Sequence, residues 1–93
     1  MTEKIRVLLI DDHPLFRKGV GQIISDDPSF EIVGEAASGQ EGIDLALEVK
    51  PDLVLLDLNM KGMDGLETLR RFKETDLDAH YVFLTVSDAE ENL

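Results

Sequence analysis

Asp11 and Asp12 follow the hydrophobic run Ile5–Ile10, Asp57 follows residues 53–56, and Thr85 closes a third run at 81–84. If these runs are neighbouring parallel strands, all four side chains gather at one carboxyl edge, where open α/β sheets place their ligands. Carboxylates brought together repel one another and call for a hard cation with oxygen ligands. The spacing therefore predicts a Mg2+-dependent acidic pocket whose chemistry falls on Asp57. A lone Asp after a strand is more simply a turn former or helix cap, the role expected of Asp64 and Asp88. An adjacent pair with a third carboxylate on the next strand outweighs that simpler reading.

The elements that must position these residues alternate between strand and helix patterns, with no Ser/Gly-rich linker, repeat or low-complexity tract. Residues 5–10 are β-branched and leucine-rich, as in a strand buried on both faces. Pro14 suits the first turn of a helix, and Phe16, Val20, Ile23 and Ile24 form its apolar stripe, which Asp26, Asp27 and Pro28 end. Phe30, Ile32 and Val33 begin a second strand, less continuously apolar and so expected at an edge. Ser38 with Glu41 makes a capping box for a helix carrying Ile43, Ala46 and Leu47 inward and ending near Lys50 and Pro51. Residues 53–56 form an uninterrupted apolar run that suits a central strand. A loop at 59–64 leads to Asp64 and Glu67, a second cap-like pair, with Leu66, Leu69 and Phe72 inside the helix that follows. Arg70, Arg71 and Lys73 lie late in that helix, where cations suit its dipole. Residues 81–84 are the fourth strand, and Asp88 with Glu91 marks a further helix start.

Right-handed crossovers leave few arrangements for such a chain, and the doubly wound order 2-1-3-4 sets strands one and three side by side. Ninety-three residues suffice for one domain with a real core. The formal net charge of -11 argues against gripping nucleic acid or an anionic membrane directly. With no cysteine, disulfides, thiolate catalysis and Cys-based zinc sites are excluded. The first residues lack a signal-peptide pattern and no run reaches membrane-spanning length, so a cytoplasmic location is expected.

The segments IDDHPLFRKGV, LLDLNMKGMDGLETL and FLTVSDAEE closely resemble the receiver domain of bacterial two-component response regulators. They are most similar to the nitrate/nitrite-type members that carry a C-terminal, LuxR-like helix-turn-helix. The resemblance runs through the whole chain, in order and at the family's spacing. It implies a flavodoxin-like α/β fold with a doubly wound parallel sheet. It also implies a signalling domain whose chemistry is limited to phosphorylation and dephosphorylation of Asp57, the phosphoacceptor. Asp11, Asp12, Asp57 and the backbone carbonyl of Asn59 correspond to the Mg2+ ligands, and Thr85 to the switch hydroxyl. An aspartate and a phosphoryl group are both anionic, so the cation must neutralise charge between them. The implied donor is a phosphohistidine on a sensor histidine kinase, and the product is an acyl phosphate. Its added charge and acceptor oxygens are what Thr85 would answer by rotating inward, passing the signal to a transcription-regulating output.

The chain departs from the family pattern after the fourth strand. The fifth strand, its lysine and the last helix have no counterpart in residues 1–93, and DNA could be reached only through a C-terminal domain that this sequence lacks. The expectation is a C-terminally truncated receiver domain. Residues 81–84 would then be an unprotected sheet edge, which predicts homo-oligomerisation, strand exchange or low stability. Lys61 does not replace the missing lysine and reads as solvated. His13 reads as an exposed loop residue before Pro14 rather than a metal ligand, and His80 as part of the loop before strand four. Arg17 and Lys18 could touch a kinase but equally suit a solvated helix face. Met60 and Met63 suit local packing.

Rival classes fit less well. A haloacid-dehalogenase-like phosphohydrolase expects Asp-x-Asp after its first strand, where this chain has Asp11-Asp12-His13. A Rossmann-type nucleotide site needs a glycine-rich loop there, and HPLFRKG is not one. A phosphorylation-independent adaptor with the same fold is the remaining alternative.

Overall fold

A computed structural model describes residues 3–84, in the order β1 (Ile5–Ile10), α1 (Pro14–Ser25), β2 (Phe30–Ala36), α2 (Gly39–Val49), β3 (Leu53–Asp57), α3 (Gly65–Lys73) and β4 (His80–Leu84). Thr85 and the expected helix start at Asp88 and Glu91 lie outside the described residues. The strands form one parallel sheet in the order β2-β1-β3-β4, as the crossover argument requires. The less apolar β2 takes an edge. It carries one extra residue where the register shifts between Val7 and Leu8, so Val33 has no partner on β1.

Both faces of β1 are covered, which explains its unbroken apolar sequence. Leu8 and Ile10 point to one side, into a core with Ala36, Ile43, Ala46, Val54, Leu56 and Phe72 beneath α2 and α3. Val7 and Leu9 point to the other, with Leu55, under Val20 and Ile24 of α1. Met60 is buried in the first core and Met63 packs against it, so both serve local packing. His80 opens β4 rather than ending the loop before it.

The helix starts follow the sequence signals. Ser38 Oγ accepts the Glu41 amide hydrogen at 3.2 Å, and the Glu41 carboxylate accepts from the Ala37 amide at 2.6 Å. Asp64 Oδ1 caps α3 by accepting from the Glu67 amide at 2.9 Å.

The helix phases differ from expectation at one large residue each. Ile23, Leu47 and Leu66 are 72%, 47% and 57% exposed rather than inward. In α2 the buried face runs through Gly39, Gly42, Ile43 and Ala46, and in α3 through Gly65, Thr68 and Phe72. Those small residues let the backbone approach the sheet. A Cβ at Gly42 would lie 2.3 Å from Ile10 Cδ1, and one at Gly65 would lie 2.5 Å from the Asp57 carbonyl oxygen. Turning the small residues inward carries Leu47 and Leu66 out. In α1, Phe16, Val20 and Ile24 recur every four residues, and Ile23 falls a full residue off that line. No helix among the described residues is long and apolar enough to cross a membrane.

Candidate acidic site

Ile10 pairs with Leu56 in the β1–β3 ladder, so Asp11 and Asp57 stand side by side one step further on. The Asp11 amide still donates to the Ala36 carbonyl at 3.0 Å, and the Leu58 amide to that of Leu84 at 3.2 Å. The ladders on either flank thus hold this edge rigid. Asp11 is 0% and Asp57 1% exposed, while Asp12 lies at the pocket wall. One oxygen atom of each carboxylate is tied to backbone. Asp11 Oδ1 accepts the His13 amide hydrogen at 2.8 Å, Asp57 Oδ1 that of Asn59 at 3.1 Å, and Asp12 Oδ2 that of Lys61 at 2.9 Å. The other oxygen atoms, Asp11 Oδ2, Asp12 Oδ1 and Asp57 Oδ2, are buried without a hydrogen-bond partner among the described residues. A buried carboxylate oxygen without a partner is costly when ionised, and carboxylates whose donor atoms lie within 4.8 Å of one another fit a cation.

The electrostatics agree with the geometry. Burial pushes the Asp57 carboxyl above its ordinary pKa, opposed by the Asn59 amide and reinforced by the neighbouring Asp11. The His13 imidazole is raised above its ordinary value chiefly by its hydrogen bond to Asp11.

His13 is an exposed loop residue before Pro14, as expected, and it also stands beside the acidic group. Although 59% exposed, its Nδ1 lies 3.2 Å from Asp11 Oδ1, 3.0 Å from Asp12 Oδ1 and 3.4 Å from Asp57 Oδ2. One signal could have found it: a residue before proline is held out of the α region. His13 is accordingly extended, at φ -105° and ψ 101°, which keeps it beside the acidic pair. Arg17 is not merely solvated either. Its Nη1 donates to the Asp11 carbonyl at 2.7 Å, and its Nε lies 3.3 Å from Glu35 Oε1. Lys61 is exposed as expected and meets the site through its backbone amide.

The family model for the response regulator receiver domain matches residues 7–93. This chain belongs to that family. The receiver domain is 52% identical over 91 residues to the nitrate/nitrite response regulator NarL of Escherichia coli K12, covering 98% of this chain and 42% of that protein. The chain thus spans less than half the length of that relative. Its backbone superposes with a TM-score of 0.85 on the signal receiver domain of the response regulator NarL from Mycobacterium tuberculosis, at 38% identity, covering 92% of this chain and 69% of that one. A CheX–CheY–BeF3–Mg2+ complex from Borrelia burgdorferi matches with a TM-score of 0.81 at 29% identity, over 95% of this chain and 66% of that one. The flavodoxin-like fold and the signalling class expected from the sequence both stand.

Proposed function

We propose that this receiver domain accepts a phosphoryl group on Asp57 from the phosphohistidine of a sensor histidine kinase and thereby controls a transcription-regulating output in the cytoplasm. The observation that carries the reading is that Asp11, Asp12 and Asp57, from two adjacent strand ends, offer donor atoms within 4.8 Å of one another while each keeps a buried oxygen without a partner. Asp11, Asp12 and Asp57 would hold Mg2+, with the Asn59 carbonyl completing the set by analogy with the family. Mg2+, when bound, neutralises charge and accepts oxygen ligands in octahedral array while keeping waters. Bound Mg2+ and BeF3 belong to the Borrelia relative and support the same reading here.

The chain's own residues set up the transfer. The Asn59 amide fixes Asp57 through Oδ1 and leaves Oδ2 without a partner. Oδ2 forms the new bond to phosphorus as the phosphorus–nitrogen bond to the donor imidazole breaks, and the released imidazole takes up a proton. The Arg17–Asp11 carbonyl bond and the Lys61–Asp12 bond hold the acidic pair in place meanwhile. Thr85, by the same family analogy, reads the new phosphoryl group. Partners are the kinase and a second copy of the chain. Any contact with DNA would be made by an output domain outside residues 1–93.

Incubation with Mg2+ and a small acyl phosphate, followed by mass spectrometry, tests the proposal. The expected result is one phosphoryl adduct at Asp57, not formed when Mg2+ is chelated beforehand and absent from Asp57→Asn. An adduct elsewhere, or none, would favour the adaptor alternative.

A further inference from the structure

The acidic site contains a nitrogen donor that Mg2+ does not require. We propose that His13 Nδ1 is a fourth ligand of this site, giving it a preference for a divalent first-row transition-metal cation over Mg2+. The inference rests on the cation reading of the acidic cluster and deepens it.

The donor atoms of Asp11, Asp12, His13 and Asp57 all lie within 4.8 Å of one another. Around an ion with ligands at about 2.1 Å, neighbouring donors stand roughly 3.0 Å apart in octahedral and about 3.4 Å apart in tetrahedral geometry. The His13 Nδ1 separations from the two unpartnered oxygens nearest it, 3.0 Å to Asp12 Oδ1 and 3.4 Å to Asp57 Oδ2, match the two ends of that interval. Hydrogen bonding alone does not account for the arrangement. A ring nitrogen carries one hydrogen, only the Asp11 contact has hydrogen-bond geometry, and Asp12 Oδ1 and Asp57 Oδ2 remain buried and unsatisfied beside it.

Three features preorganise the imidazole. Pro14 restricts the His13 backbone to the extended region in which it is found. The His13 amide is anchored on Asp11 Oδ1, and the Asp11 carbonyl on Arg17. Imidazole suits zinc, cobalt, nickel, copper and iron, whereas an all-oxygen set suits magnesium and calcium. The fourth donor therefore changes the class of ion the pocket takes.

The test uses the full chain and His13→Asn, with His80→Asn as control, since His80 is the one other histidine and opens the exposed end of β4. Asparagine is a favoured helix N-cap and should preserve the fold, which a thermal melt verifies. Zn2+ and Mg2+ affinities are measured by titration calorimetry in mildly alkaline buffer, and pulsed EPR of bound Mn2+ reads coupling to a ring nitrogen. The expected result is Zn2+ affinity lower by at least about tenfold in His13→Asn, with Mg2+ affinity changed by less than about threefold. Nitrogen coupling should be present in the wild type and His80→Asn and absent from His13→Asn. Equal Zn2+ affinity in wild type and His13→Asn, coupling that survives in His13→Asn, or a parallel fall in Mg2+ affinity would each overturn the inference. All three leave Mg2+-dependent labelling of Asp57 untouched. Failure of the wild type to bind either ion would remove the cation reading and this inference together.

Discussion

Replacing Asp57 by Asn should make the metal-free protein more stable, although it removes the residue on which the chemistry depends. Asp57 is 1% exposed, and its Oδ2 has no hydrogen-bond partner while Asp11 stands alongside. Asn keeps an oxygen for the Asn59 amide and puts a donor N–H where the orphaned oxygen was, facing acceptors. Relief of one buried, unsatisfied charged group is worth roughly 1–3 kcal/mol, and each kcal/mol moves the melting temperature of a domain this size by roughly 4–8 °C. The pH dependence has a definite sign. The folded-state pKa of Asp57 is raised above the ordinary 3.8, so protonation favours the fold. The stability this group contributes is complete below that value and is lost as pH climbs through the raised folded value. The advantage of Asp57→Asn should thus be near zero in acid and reach its plateau toward neutrality. Saturating Mg2+ should narrow the gap: at a hundred times Kd, a ligand stabilises the wild type by about 2.7 kcal/mol and a variant with a weakened site by less. Urea and thermal melts of both proteins, with chelator and with Mg2+, measure all of this. A variant less stable than wild type at neutral pH in chelator, or an advantage independent of pH, would refute the picture of three uncompensated carboxylates.

Three further outcomes follow from the packing. Gly65→Ala would set a Cβ against the Asp57 carbonyl and the Leu58 Cα, at 2.5 and 2.7 Å, which are backbone atoms that cannot swing aside. It should cost roughly 1–3 kcal/mol, as overpacking does, and lower Mg2+ affinity by displacing Asp57, as calorimetry would show. Leu66→Lys should shift stability by no more than about 0.5 kcal/mol. Phe72→Ala, in the same helix but fully buried, should cost about 3–5 kcal/mol, both read from urea melts.

The fold was legible because its signals are local and redundant. Three apolar runs bounded by caps, with Ser38–Glu41 and Asp64–Glu67 bonded as their spacing suggests, leave the parallel order little freedom. What misled was size. Ile23, Leu47 and Leu66 look like core because they are large and recur near helical spacing, yet Gly42 and Gly65 carry α2 and α3 closest to the sheet. A residue without a side chain gives no hydrophobic signal, although close approach is what fixes the rotation of each helix. Searching a helical segment for small residues at i and i+3 would have recovered the phase.

The site divides along a similar line. Asp11, Asp12 and Asp57 could be found because strand ends and chain topology alone bring them together, whatever their rotamers. The roles of His13 and Arg17 depend on where a helix begins and how its first turn faces back across the edge. By residue type alone His13 is an exposed loop residue before Pro14, which it is. The deciding facts are angular: Pro14 holds its backbone extended, and the acidic pair occupies the two positions immediately before it. In a chain of net charge -11, a nitrogen donor within 3.4 Å of three carboxylates is attracted by all three when its ring is protonated. The same crowding that makes those carboxylates costly without a cation therefore also recruits the imidazole. For that reason the stability of Asp57→Asn and the metal preference of His13→Asn are two views of one unbalanced charge, and they should respond together when the pocket is filled.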